Sequence, residues 1–426
     1  MLGYMEYLQD CFYTSTGWNT DNNYDNILAT SRNLLAFPIP RNFRFELSSR
    51  SSEFTNSSVS LTNTGILGGS LSYLSTTTPL ANAMASRSVP LQSMVSGYRI
   101  LETFGPRLPT QFVGATLLYG RIYFPSQFLE GMVIKRVSPN TQFILKCIST
   151  PKVTGGVKGG GAMTFYWQTN KAKSSREFIF STSEALLGFR CLYNIGKGFR
   201  DGPSRRGKIF GSDGSSLSIG TELWYGALSM SPGLSTALRY STYSSSTGAP
   251  MTMTLSCNPL LGSFSSTYSV RTGIGSTFCS KYDLNVYSSE SDLSFGYEFW
   301  RSIATRPPKE QPKLDAPAFN KLNEEEQMRV VGEFIGAQQD KFGNPGAAWG
   351  SRGTAPFHTA RKFVSNLRET DFSSVLKAST SIQTGKLSVS FSGKIKDFLV
   401  TTGASVNLYD TSSTVKAYGV QIQYSS

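Results

Sequence analysis

The chain has 426 residues, of which 39% are hydrophobic, 12% aromatic and only 16% charged. Soluble domains carry about 25% charged residues and disordered chains contain few aromatics, so this composition excludes disorder and departs from an ordinary soluble domain. The net charge of +13 suits anionic lipid, nucleic acid or an anion-lined pore. The sequence contains no dense Lys/Arg run and no recognised nucleic-acid-binding module, so no nucleic-acid partner is predicted. The preferred explanation of the positive net charge is a basic rim and lumen that keep a barrel hydrated.

Residues 1–40 are predicted to be helical and to form a segment of their own. Their apolar side chains fall into two stripes at helical spacing: Met1, Met5, Leu8 and Phe12, then Ile27, Leu28, Leu34 and Leu35. Pro38 and Pro40 end the helical structure. The N-terminus has no basic region followed by an apolar core, so we expect neither a secretory signal nor a presequence. The segment either docks in the lumen of a barrel or binds a partner at its rim.

Residues 41–426 are dominated by strands in which apolar and polar side chains alternate. Clear examples are Met251–Cys257, Leu293–Phe299 and Tyr418–Tyr424. Many segments run about 9–11 residues, the length that a tilted strand needs to cross a bilayer. Counting them gives about 19 candidate strands between Asn42 and Tyr424.

A soluble sandwich would also alternate, but three features favour a transmembrane β-barrel. The strands are too many for one sandwich, the polar face is mostly Ser, Thr, Gly and Asn, and aromatic residues recur near strand ends. Lipid offers no partner for an open sheet edge, so the barrel must be closed. No apolar run is long enough for a transmembrane helix.

The strand pattern is interrupted at 302–361 by a predicted insertion, mobile and partly helical. It opens with a stretch rich in proline and charge, and continues as a helix capped by Asn323 and stopped by Gly343 and Pro345. The insertion either docks a partner outside the membrane or is a loop without a role.

Residues that would support enzyme or metal chemistry are scarce. The single histidine, His358, would have to serve any Ser-His-Asp or Cys-His centre, and it lies in the insertion. The glycine run at 155–161 lacks the P-loop pattern, and the five scattered cysteines have no metal-ligand spacing. We therefore predict no catalytic residues, no metal and no cofactor, and cysteines that are reduced.

Several blocks resemble a fungal family, that of mitochondrial distribution and morphology protein 10. They include SRNLLAFPIP (31–40), GSLSYL (69–74), LYGRIYFPS (118–126), MVIKRVSPNTQF (132–143), EFIFSTSEALLGFR (177–190), SPGLSTALRY (231–240), LSCNPLLGSFSSTYS (255–269), STFCSKYDLNVYS (276–288), SDLSFGYEFW (291–300) and YGVQIQYSS (418–426). The blocks occur in order along nearly the whole barrel.

This resemblance implies a porin-like barrel of the mitochondrial outer membrane with an odd number of strands. The first and last strands would pair in parallel, and the N-terminal segment would lie in the lumen. It also implies two sets of partners. One is the lipid-transfer tether subunits of the endoplasmic reticulum–mitochondria encounter structure. The other is the core insertase barrel and peripheral subunits of the sorting and assembly machinery, where such a protein promotes assembly of the import translocase. A porin-type metabolite or ion channel is the alternative function.

The resemblance also suggests site residues. The last strand is similar to the mitochondrial β-signal at Gly419, Ile422 and Tyr424, although its polar position falls on Ala417. Tyr73 and Tyr282 lie in matched blocks and are the expected partner contacts, because a phenol on a barrel wall can pack against apolar surface and still donate a hydrogen bond. Each tyrosine could equally be an ordinary lipid-facing residue.

Overall fold

The computed structural model describes residues 1–63, 67–80, 83–101, 114–149, 160–196, 215–244, 246–302, 355–409 and 415–426, with the backbone alone at 355–358 and 361. Its helices are α1 (Tyr4–Ser15), α2 (Ala29–Leu35), α3 (Leu91–Met94) and α4 (Ala355–Glu369), with 3-10 turns at Tyr24–Asn26 and Ser183–Ala185. Within the described ranges, no helix is long and apolar enough to span a membrane.

The strands account for most of the described residues. They are β1 (Asn42–Arg50), β2 (Thr55–Asn63), β3 (Leu67–Thr76), β4 (Thr116–Phe124), β5 (Leu129–Ser138), β6 (Thr141–Ser149), β7 (Gly161–Asn170), β8 (Ser174–Ser181), β9 (Leu186–Gly196), β10 (Ser216–Gly226), β11 (Ser231–Tyr243), β12 (Pro250–Asn258), β13 (Ser263–Arg271), β14 (Ser276–Asn285), β15 (Glu290–Ser302), β16 (Phe372–Ser381), β17 (Lys386–Ile395), β18 (Phe398–Asn407) and β19 (Val415–Ser425).

The 19 strands form one closed sheet in chain order. Every consecutive pair is antiparallel, and the barrel closes where β1 runs parallel to β19, from Asn42 opposite Gly419 to Ser48 opposite Ser425. Closure gives each edge strand a hydrogen-bonding partner, as a bilayer requires. The predicted 19-stranded barrel with a parallel first and last pair is confirmed.

The alternation seen in the sequence separates a polar lumen from an apolar outer surface. On β2 and β3, Ser58 and Ser72 face inward and share a hydrogen bond of 2.7 Å, whereas Val59 and Leu71 face outward and are exposed. The same arrangement recurs around the barrel, where buried polar side chains alternate with exposed large hydrophobic ones. This polarity is the reverse of a soluble protein and is that of a transmembrane barrel.

The two ends of the barrel are built differently. At the end we call the short-turn end, β10–β11, β12–β13, β14–β15 and β16–β17 are joined by turns of a few residues. At the opposite end, the long-connection end, residues 77–115, 197–215 and 303–371 link successive strands. The helix expected from Asn323 to Gly343 lies outside the described residues. The described helix in this connection, α4, runs on past residue 361 to Glu369.

Candidate functional site

The N-terminal segment, residues 1–40, occupies the lumen. Leu8 and Phe12 on α1 are completely buried. The wall opposite them departs from its polar pattern, because the inward side chains of β3–β6 include Leu74, Leu117 and Ile134 in the same apolar cluster. The helix and the wall therefore bury matching apolar surfaces, and the predicted helical segment in the lumen is confirmed.

The N-terminus of α1 is held by a buried carboxylate of β1. The backbone N–H of Tyr4 donates to Oε1 of Glu46 at 3.2 Å, and Glu46 is 0% exposed. Arg44 pairs with the other oxygen of Glu46 at 3.4 Å. A negative charge at a helix N-terminus satisfies unpaired N–H groups and complements the helix dipole, so Glu46 fixes where α1 begins.

A second segment, residues 83–101, also lies in the lumen, and we call it the luminal strap. It belongs to the connection between β3 and β4. The backbone N–H of Leu2 donates to the carbonyl of Met94 at 2.8 Å, the side-chain amide of Asn33 donates to Gly97 O at 3.2 Å, and the Tyr98 hydroxyl lies 2.8 Å from that of Thr252 on β12. The strap therefore joins the N-terminal segment to the wall. The sequence analysis missed it, because the strap has neither strand alternation nor a helical stripe of useful length.

Charged groups tie these two segments together and to the wall. Arg99 of the strap pairs with Asp21 of the N-terminal segment at 2.8 Å. Lys377 on β16 is almost fully buried and donates to the backbone carbonyls of Asn33, at 3.3 Å, and of Ser96. One ammonium group thus bridges both luminal segments to one wall strand.

Arg190 on β9 makes a second set of ionic contacts. Its guanidinium lies 2.6 Å from Glu222 and 3.3 Å from Glu177, on the neighbouring strands β10 and β8, and 3.6 Å from Asp25 of the N-terminal segment. Because the first two carboxylates are largely shielded from water, these contacts are screened less than surface ion pairs. Arg190 therefore offsets part of the negative charge of the wall and also positions the N-terminal segment.

Four inward-facing glycines mark the path of the N-terminal segment along the wall. A Cβ added at Gly220 would lie 2.5 Å from the Tyr24 ring, and one at Gly296 would lie 2.8 Å from Leu34 O. A Cβ at Gly403 would meet Ile39 at 3.3 Å, and one at Gly419 would lie 2.7 Å from the carbonyl of Pro40. These glycines allow close backbone approach, one of the established reasons for glycine in a strand.

The helix α4 packs against the luminal strap and the wall at the long-connection end. Ala360 and Val364 are buried against Ile100 of the strap, and Leu367 joins the main apolar cluster with Trp300 and Phe372. Cavities of about 640, 490, 420 and 220 Å³ remain around the luminal segments. The largest lies between α2 and the wall from β10 to β15.

The two tyrosines expected to contact partners point outward from opposite parts of the barrel. Tyr73 on β3 is 52% exposed and lies beside Ser57 and Gly120, and a Cβ at Gly120 would meet nothing within 4 Å. Tyr282 on β14 is 47% exposed and lies beside Ser266 and Leu293. The shorter route between them crosses eight strand pairs, five from β14 to β19, one across the seam and two from β1 to β3. They cannot form one site.

The β-signal residues lie at the barrel seam with different orientations. Gly419 is buried and faces Asn42, whereas Ile422 and Tyr424 face outward, beside Phe45 and Leu47 of β1. The Tyr424 ring also packs on Phe398 with a centroid distance of 5.5 Å. A structural role in the last strand thus accounts for all three positions.

Among the described residues, no group of His, Cys, Asp and Glu side chains could hold a metal ion. The five cysteines, all described, form no disulfide, and burial raises the pKa of the Cys11 thiol on α1 to about 11. The side chain of His358 and nearly all of the 155–161 glycine run lie outside the described residues.

The comparisons with known proteins agree with this architecture. The model of the family "Mitochondrial distribution and morphology protein 10" matches residues 1–426. Proteins with that name from Clavispora lusitaniae and Debaryomyces hansenii are each 41% identical to the chain, over 464 and 473 aligned residues and the full length of both proteins. The relative from Candida tropicalis is 40% identical, with 100% of this chain and 99% of that protein covered. The chain therefore belongs to the mitochondrial distribution and morphology protein 10 family.

Proposed function

We propose that this chain is a non-enzymatic barrel of the mitochondrial outer membrane that works through its outer wall and ends. The filled lumen is the observation that carries the proposal. Two luminal segments and α4 occupy the space that a porin needs for solutes, so we favour docking of partners over conduction. The proposed partners are the tether subunits of the endoplasmic reticulum–mitochondria encounter structure and the insertase barrel and peripheral subunits of the sorting and assembly machinery.

Membership of a family named for mitochondrial distribution and morphology supports this proposal. We also propose that the outer wall around Tyr73 and the outer wall around Tyr282 contact different partners. The separation of the two tyrosines supports this part of the proposal. Each tyrosine combines a large apolar ring with a hydroxyl that can donate a hydrogen bond, which suits an interface within a membrane. We further propose that Gly419, Ile422 and Tyr424 act as the β-signal during insertion, before they become the seam.

A tagged pull-down from gently solubilised mitochondria tests the proposal. Both partner sets should be recovered with the wild-type chain, as separate complexes on a native gel. Recovery of neither set, together with large stable conductance in a planar bilayer, would favour the porin-type channel instead. Conductance of the purified chain is therefore measured beside the pull-down.

A further inference from the structure

The turns at the short-turn end expose an unusual number of large apolar side chains. The five hairpins at this end between β10 and β19 contribute to this surface, which we call the turn face. Its members are 50–78% exposed: Leu228, Met230, Leu260, Leu261, Val286, Tyr287, Ile382, Leu408 and Tyr409. The turn tips of an ordinary water-facing surface are polar, so this face requires an apolar surrounding.

Two of these turns share one construction. In the first, Tyr287 N–H is bonded to Asn285 Oδ1 at 2.9 Å, and the Tyr287 hydroxyl donates to Pro259 O at 3.0 Å. In the second, Tyr409 N–H is bonded to Asn407 Oδ1 at 3.0 Å and its hydroxyl donates to Ile382 O at 2.9 Å. Each phenol is thus satisfied within its own barrel end, which leaves the ring as a fixed apolar surface.

A glycine under each ring makes this construction possible. Gly262 and Gly385 have φ angles of 62° and 61°, and an added Cβ would lie 2.7 and 2.6 Å from carbons of the tyrosine rings. Positive φ and the close approach of the ring both favour glycine here. The same fold of a tyrosine over a glycine therefore occurs twice on one face, through residues far apart in the chain.

The opposite end lacks such a surface at the matching turns. Residues 139–140, 171–173 and 396–397 are Pro-Asn, Lys-Ala-Lys and Lys-Asp. The exposed large apolar side chains in the described connections there are Phe54, Met84 and Ile274, at 39–44% exposure, and Val137, Ile395 and Phe398 lie at the adjoining strand ends. At the short-turn end, by contrast, the apolar outer wall continues around the tips. Along β18 and the first residue after it, outward side chains run from Phe398 to Leu408. These ten residue steps span about 25 Å at a usual strand tilt, the height of the apolar band of a membrane barrel.

We infer that the turn face lies in the headgroup–acyl boundary of the same bilayer that surrounds the wall. The inference rests on the proposed membrane location and adds to it which end is immersed. Continuity with the lipid-facing wall is the reason to choose lipid over a soluble partner. Water-soluble partners then dock at the long-connection end, where the turns are polar and the long connections emerge.

Depth-dependent fluorescence quenching tests this inference on the full chain. Leu261→Cys and Leu408→Cys are labelled with bimane and reconstituted in phosphatidylcholine vesicles whose lipids carry bromine near the headgroup; the wild-type chain, labelled identically, gives the background. Leu255→Cys on the wall of β12 and Ala172→Cys at the opposite end are the matched controls. We expect bromolipid to quench labels at 255, 261 and 408, and aqueous iodide to quench the label at 172.

The outcomes separate this inference from the proposed function. Iodide quenching at 261 and 408, with bromolipid quenching kept at 255, would place the turn face in water and overturn the inference alone. Loss of bromolipid quenching at 255 as well would contradict the proposed membrane location of the whole barrel. Because all four positions are exposed, none of the substitutions removes a buried contact.

Discussion

Phe12→Ala should release the N-terminal segment from the lumen. Phe12 is completely buried in the apolar cluster between α1 and the wall. Truncation of a buried phenylalanine costs about 3–5 kcal/mol, because apolar burial is lost and a cavity is left. At about 1.4 kcal/mol per factor of ten, the equilibrium constant for undocking rises by a factor of about 10² to 10³·⁵. The barrel hydrogen bonds do not involve this side chain, so the sheet should remain closed.

The thiol of Cys11, one residue away, reports the release. In the docked segment its pKa of about 11, raised mainly by burial, leaves almost no reactive thiolate near pH 7.5. Undocking returns the pKa toward its ordinary value near 8.5, so labelling of Cys11 by a maleimide should be faster in Phe12→Ala. The rate of labelling should also begin to rise at a lower pH in the variant than in the wild type. In addition, the variant should show single-channel conductance.

Thr14→Ala is the matched control, because Thr14 is exposed on the same helix and its hydroxyl donates to Asp10 O of that helix, at 2.8 Å. It should leave labelling and conductance unchanged. The reasoning is refuted if Phe12→Ala forms a closed barrel, judged by circular dichroism and resistance to unfolding in detergent, in which Cys11 stays as protected as in the wild type. Labelling without conductance would instead mean that the strap and α4 close the lumen by themselves.

Four further substitutions address the seam, the ionic contacts and the wall. Gly419→Leu should prevent closure, seen as loss of the folded band on a semi-native gel, whereas Gly120→Leu, which projects into open space, should fold normally. Arg190→Met leaves two shielded wall carboxylates without their cation and should cost about 3–5 kcal/mol in the free energy of unfolding by denaturant titration; a change below about 1 kcal/mol would show that water compensates them. Tyr73→Ala and Tyr282→Ala should each remove a different partner set in the pull-down, and loss of the same set by both would contradict two separate contact walls.

Strand number and closure could be predicted because alternation is a local signal. Within each strand, side chains two residues apart lie on the same face, so the alternation between Met251 and Cys257 shows which face is apolar. Closure of the sheet follows because lipid offers no hydrogen-bonding partner to an open edge. The parallel seam and the luminal position of residues 1–40 came from resemblance to the family. Neither spacing nor composition separates a helix that docks in a lumen from one that docks at a rim.

The luminal strap could not be predicted, because its contacts are long-range and mostly made by backbone atoms. Ser96 O, Gly97 O and Met94 O accept hydrogen bonds that any residue at those positions would offer. Some sequence signals were nevertheless present. Leu74, Leu117 and Ile134 are apolar residues on the polar face of their strands, and such exceptions mark where a barrel wall meets something apolar inside.

Docking of the N-terminal segment depends on closure of the barrel in this chain. The N-terminal segment is synthesised first, yet three of the four glycines that seat it, Gly296, Gly403 and Gly419, lie on β15, β18 and β19. Its last contact is made by Pro40 and Asn42 against Gly419, where β1 meets β19. The segment therefore cannot reach its final seat until the last strands are in place. Once docked, it contacts β1, β15, β16 and β19 from inside. The hydrogen bonds between these strands are made without it, so the closed barrel should persist when the segment is released.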